Sequence, residues 1–408
     1  MTIVRVDTVR IAEYPNLFYV LIHDDAGRVG LGETFYGAAA VEAWVHETAA
    51  PLITGEDPGR IGAIARSLTG SVGWGGSGAE TRGRSAIDIA LWDLLGQTAG
   101  LPLSALLGGA ARTSANVYNT CAGYRYVRTG VSQTVGNWGL PRRGEDAGPY
   151  EDLEGFLTRP GELAESLLEQ GIRAMKIWPF DACAELTGGT SVDSGDLDRG
   201  LRPLRDIRAA VGMEMDVMIE LHGLWQLEPA QRIAMACDAF APRWYEDPLR
   251  ADDIEGLGKL AARTPTPLAV GETVAGLAHF RRLCERGAAG ILVFDAGWCG
   301  GVSEARKIAA VAEAHALPVA AHDCTGPVGF TVGTHLSVAL ANATIQESVR
   351  AHHSTWYAEL VEGLPPIENG VVSPPDIPGH GVRMRPDVLK RRDASMRTSH
   401  ATTYSRSR

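Results

Sequence analysis

From residue 114 onward the chain repeats one unit, a short apolar run followed by an amphipathic helical pattern. Eight such runs occur: ANVYNTCAG, RAMKIW, VMIELHG, RWYEDP, LAVGET, ILVFDAG, PVAAHD and ATIQES. Between them lie segments such as EPAQRIAMACDAF and GVSEARKIAAVAEAHA, apolar on one face of a helix. Short buried strands joined by helices must run parallel, because only a crossover connection returns the chain to the same end of the sheet. Eight of them close into a barrel, the doubly wound open sheet being the competing layout.

Residues 1–113 follow another grammar. IVRVDTVRI and FYVLIHDDAGRVG alternate in the strand manner around an Asp-Ala-Gly turn, and helical patterns follow, among them SAIDIALWDLLGQTAG. In that last stretch Ala86, Ile87, Ala90, Leu91, Leu94 and Leu95 fall on one face. The expected organisation is an α+β domain over 1–113, a barrel over 114–380, and a segment over 381–408 that returns to the first domain. Its end, SMRTSHATTYSRSR, is polar and expected to be disordered. Two stretches, 124–160 and 179–198, interrupt the barrel rhythm. Each follows a strand and is placed over the C-terminal mouth, where barrels carry their sites.

The ends of the apolar runs carry the chemistry. Glu220, Glu246, Glu272, Asp295, His322 and Glu347 close six successive runs, at intervals of 23 to 27 residues. One strand–helix unit spans about that length, so these groups recur at one height around the ring. Single acids at strand ends commonly cap helices or face solvent. Three on consecutive strands, Glu220, Glu246 and Glu272, would repel one another strongly without a hard cation among them. They read as an oxygen site for Mg²⁺.

A cation so placed makes the α-proton of a carboxylic acid removable, with Lys or His as the proton acceptor. Lys176 in the second run, His222 two residues past Glu220, and His322 are the candidates, with Asp295 one strand earlier orienting His322. On the alternation of strand side chains, His222 is expected on the same side as Glu220. Glu347 reads equally as a substrate contact or a buried structural acid.

The order Lys176, Glu220, Glu246-Asp247-Pro248, Gly271-Glu272, Asp295 with GWCGG, His322 and Glu347 resembles the enolase superfamily, and within it the mandelate racemase-like branch with its acid-sugar dehydratases. The resemblance spans about residues 2–390 and implies a modified (β/α)7β barrel capped by an N-terminal α+β domain. It also implies capping loops near 14–18 and 37–41, Mg²⁺ on Glu220, Glu246 and Glu272, a His322–Asp295 dyad acting as base or acid, and Glu347 touching substrate oxygen. Many relatives carry Lys-x-Lys or Lys-x-His on the second strand, whereas this chain has Lys176-Ile177-Trp178. Its Glu220-x-His222 is similar to the arrangement in galactonate and mannonate dehydratase-like enzymes. These two features favour dehydration of a sugar acid to a 2-keto-3-deoxy acid over a racemase, epimerase or cycloisomerase.

A zinc hydrolase would want several histidine ligands, and a silent binding relative would be expected to have lost a ligand or the dyad. The net charge of −11 speaks against a nucleic-acid partner, no apolar run is long enough for a membrane span, and six cysteines without CxxC spacing read as reduced thiols. The expected partner is a small acid sugar, the expected state a homo-oligomer between dimer and octamer, and the expected compartment the cytoplasm. Specificity is expected from the capping loops and from 124–160, where Arg125, Arg128, Trp138, Arg142 and Arg143 stand.

Overall fold

A computed structural model describes residues 1–69, 76–126, 128, 130, 134–142, 148 and 150–400. The chain opens with three antiparallel strands, β1 (Ile3–Ile11), β2 (Tyr14–Asp24) and β3 (Val29–Phe35). The turn between β2 and β3 is set locally. Asp24 Oδ1 accepts the backbone N–H groups of Ala26 and Arg28, and Gly27 takes φ +81°, which a side chain would resist.

The barrel consists of β4 (Ala115–Thr120), β5 (Ala174–Ile177), β6 (Asp216–Glu220), β7 (Trp244–Glu246), β8 (Leu268–Val270), β9 (Ile291–Phe294), β10 (Val319–Ala321) and β11 (Ala343–Ser348). Every neighbour is parallel, and β11 pairs with β4 to close the ring. Tyr118, Met218, Trp244, Ile291, Val293 and Ile345 fill its interior. The eight strands are the eight apolar runs of the sequence. Beyond them lie small pairings: β12 (Val361–Glu362) with β15 (Arg383–Met384), and β13 (Ile367–Glu368) with β14 (Val371–Val372), which also joins the edge of β4.

The C-terminal stretch departs from expectation. Ala394–His400 is not disordered but forms β16, antiparallel to β1, completing a sheet of order β16-β1-β2-β3. Its polar residues lie largely exposed, so the backbone ladder and not an apolar face holds it, and polarity alone does not predict disorder when a sheet edge is available. Residues 401–408 lie outside the described residues.

The helix Ala79–Ala99 joins the two domains and is buried around most of its circumference, from Ser85 through Leu94. A single apolar face was expected. The second buried side follows from its position between the first sheet and the barrel. Gly30 and Gly32 on β3 let it approach, since a Cβ at either would collide with the carbonyl oxygens of Ala90 and Ala86. Glu33, on the same strand, reaches the barrel: its carboxylate accepts the N–H groups of Val328 and Gly329 at 3.2 and 2.8 Å, at the start of the helix Pro327–Ala339. A carboxylate there satisfies donors that the helix cannot. No helix among the described residues is long and apolar enough to cross a membrane.

Candidate active site

Strand register brings the carboxylates together. Glu220 on β6 lies directly beside Glu246 on β7, and Glu272 follows two residues after β8. One carboxylate oxygen from each falls within 4.8 Å of the others, and all three residues are buried. Two of them are also braced by hydrogen bonds. Glu220 Oε1 accepts the N–H groups of Leu221 and His222 at 3.0 and 2.8 Å, and Trp244 Nε1 donates to Glu246 Oε2 at 2.8 Å.

Lys176, on β5, projects into the same group. Its Nζ lies 2.8 Å from Glu246 Oε1, 2.9 Å from Glu347 Oε1 and 3.2 Å from Glu220 Oε2. Burial alone would push the ammonium down, yet the surrounding carboxylates hold its pKa well above the ordinary lysine value. Burial and the neighbouring acids Glu220, Glu347 and Glu272 drive Glu246 well above the carboxylate range, against the pull of Lys176. Glu220 resists the same burial and stays low, because Lys176 and His222 face it. Three buried acids sharing one ammonium carry more negative charge than it can offset, and Glu220 Oε2 has no aligned hydrogen-bond donor. This all-oxygen donor set suits a hard divalent cation.

The two histidines stand across the ring, on the third and seventh of its eight strands. His322 follows β10, its Nδ1 2.7 Å from Asp295 Oδ2, while Nε2 lies 3.4 Å from Glu272 Oε2. Asp295 is fixed in turn by the Gly297 N–H at 2.6 Å, and the Trp298 ring packs 5.0 Å from the imidazole. His222 sits at φ +49°, in the left-handed region, so it reaches the mouth by a turn and not by the strand alternation expected from sequence. Its Nδ1 lies 2.6 Å from Asp181 Oδ2, and the Trp178 ring meets it edge-on at 5.8 Å.

Glu347 is fully buried on β11. It accepts from Thr120 Oγ1 and from the Asp323 N–H at 3.0 Å while pairing with Lys176. Lys176, His222, Glu272, His322 and Glu347 wall a small cavity of about 30 Å³ together with aromatic groups including Tyr36, Tyr126 and Trp178. A larger cavity, about 1000 Å³, lies by the helices Ala79–Ala99 and Val302–Ala314, and none of those five residues lines it.

The first domain reaches the site through Phe35 and Tyr36, at the end of β3, and not through 37–41, most of which forms the helix Ala38–Trp44. Tyr14 instead stacks on Trp356 at 4.8 Å. Of the insertion arginines, Arg128 packs over Tyr14 and pairs with Glu13, and Arg125 packs over Tyr124. Neither these two, Trp138 nor Arg142 lines that small cavity, and Arg143 lies outside the described residues. The reading from sequence passed over Thr120, Asp181, Trp298 and Cys324. Asp181 had a signal, an acid just past the second strand inside the stretch 179–198 assigned to the mouth.

Residues 160–388 match the family described as enolase C-terminal domain-like, and residues 6–108 the mandelate racemase / muconate lactonizing enzyme N-terminal domain. The chain is 29% identical over 394 residues to the D-galactonate dehydratase of Ralstonia nicotianae, covering 94% of this chain and 92% of that one. It is 30% identical over 367 residues to the D-galactonate dehydratase of Variovorax paradoxus, covering 89% and 85%. Among solved structures it resembles an enolase of the mandelate racemase subgroup from Agrobacterium tumefaciens, with 45% identity, a TM-score of 0.86, and coverage of 98% and 99%. A capped parallel barrel with this strand-end chemistry, matched along both of its domains, belongs to the enolase superfamily.

Proposed function

We propose that this enzyme is a hydro-lyase that dehydrates a sugar acid to a 2-keto-3-deoxy acid. The observation that carries the reading is the pair His222 and His322, on opposite sides of the ring, lining one cavity beside a buried carboxylate triad. The relatives whose names specify D-galactonate dehydratase support it and make D-galactonate the first substrate to test.

Glu220, Glu246 and Glu272 are the residues that would hold Mg²⁺. When bound, the ion would neutralise the triad, lower the proton affinity of the nearby histidines and stabilise charge developing on the substrate carboxylate. Lys176 offers its ammonium to the same carboxylate, kept in place by Glu347. His322, oriented by Asp295, takes the C2 proton on Nε2, and the electrons of the C–H bond pass into the enediolate of the substrate. His222, on the far side, gives a proton to the C3 hydroxyl, which leaves as water when the C3–O bond breaks. The resulting enol tautomerises to the 2-keto acid. Trp178, placed where a basic residue would serve a two-base racemase, supplies no proton acceptor.

The test is a screen of C4 to C6 sugar acids, mono- and diacids, with Mg²⁺ and semicarbazide detection of keto acid. Keto acid from at least one member supports the reading. Epimerised substrate without keto acid replaces it with an isomerase.

A further inference from the structure

We propose that Asp181 is a positioning residue that fixes the His222 ring with Nε2 toward the substrate cavity, so the site holds a second histidine–carboxylate pair opposite His322–Asp295. Asp181 Oδ2 lies 2.6 Å from His222 Nδ1, and both residues belong to the mouth of the barrel, after β5 and β6 respectively. A carboxylate accepts only, so this contact places a proton on Nδ1 and leaves Nε2 as the ring atom free to face the cavity that His222 lines.

Asp181 stands in the first turn of the helix Asp181–Thr187, and its Oδ1 is buried without a hydrogen-bond partner. A buried carboxylate that leaves one oxygen unsatisfied is costly, and His222 is the side chain that satisfies the other, Oδ2. The backbone of His222 is held separately, by its N–H on Glu220 Oε1 and its left-handed φ. Asp181 therefore governs the ring and not the turn that carries it.

The inference rests on the reading of His222 as proton donor to the leaving hydroxyl, and its experiment has two arms. Crystal structures of Asp181→Ala and Asp181→Asn, each with the Mg²⁺-loaded enzyme, report the ring. It should swing away in the first and keep its place in the second, where the amide oxygen still accepts from Nδ1–H. In the kinetic arm, with D-galactonate or the best acid sugar of the screen, Asp181→Ala should lower keto-acid formation about 100-fold while exchange of the C2 proton in deuterated water stays within about threefold. Asp181→Asn should recover about tenfold of that loss. An unmoved ring in Asp181→Ala overturns the proposal, and so does turnover within about threefold of wild type, or exchange falling in step with elimination. If wild type yields no keto acid from any sugar acid, the dehydratase reading fails instead, and the crystallographic arm still decides Asp181.

Discussion

Lys176 Nζ and Glu246 Oε1 lie 2.8 Å apart, both buried, across the floor of the barrel mouth. The same ammonium touches Glu220 and Glu347, so the floor is one electrostatic unit in which no acid can be altered alone. Glu246→Gln keeps the shape and removes a negative donor. It is expected to abolish turnover and to weaken Mg²⁺ binding by about 10- to 100-fold, read by titration calorimetry. Unchanged Mg²⁺ affinity would remove the metal assignment.

His322→Asn tests the dyad on the far wall. The imidazole is buried between Asp295 and Glu272, and an amide can occupy the space without accepting a proton. Keto-acid formation should fall by about 10³- to 10⁴-fold. The thermal midpoint should stay within about 4 °C of wild type, since the change is worth about 1 kcal/mol or less in stability. Wild-type rates would take the histidine out of the reaction.

Arg350 and Asp152 pair away from the cavity, Nη2 to Oδ1 2.6 Å and Nε to Oδ2 3.1 Å, both residues buried. Asn119, on the first barrel strand β4, also donates to Asp152, tying that strand to the helix Asp152–Thr158. Asp152→Ala strands the guanidinium in the interior. A loss of about 3–5 kcal/mol in urea unfolding is expected. A loss below about 1 kcal/mol would mean that water reaches Arg350 as freely as it reaches a surface pair.

His335 supplies a pH dependence that does not involve the site. Ser104 N–H donates to its Nδ1 at 3.1 Å, and its Nε2 meets His380 O at 3.2 Å, an arrangement that needs the neutral ring. Burial, with the His380 charge adding and its carbonyl opposing, brings the pKa down to about 3 from the ordinary 6.5. Between those values the unfolded chain binds the proton and the folded chain does not. Stability should therefore rise with pH over that window and be lost as pH falls from 6.5 toward 3. His335→Gln should flatten the loss by about 1.4 kcal/mol per pH unit below 6.5, measured by urea unfolding at pH 5, 6 and 7. An unchanged slope would show that the ring is protonated in the fold.

The barrel was legible because its signal is local and repeated: each short apolar run predicts one strand, and the spacing of Glu220, Glu246 and Glu272 predicts that their side chains meet at one height. The dyad of Asp295 and His322 was legible for the same reason, adjacent strands placing adjacent ends together. The companion of His222 was not, since Asp181 meets it only after two separate turns at the mouth have been laid beside each other. Nor was the role of Lys176, whose sequence neighbours Ile177 and Trp178 say nothing of the four carboxylates around it.

By itself the sequence determined the strand–helix repeat, the alternation that makes β1 to β3 a sheet, and which residue types stand at the barrel mouth, because these depend on periodicity and on position along single elements. Tertiary structure alone decided that polar Ala394–His400 becomes the edge strand beside β1, that the helix Ala79–Ala99 is buried on two sides, and that Tyr36 instead of the following helix reaches the cavity. Each of these turns on what packs against a segment from far along the chain. Backbone hydrogen-bond partners and burial are properties of that neighbour as much as of the segment itself.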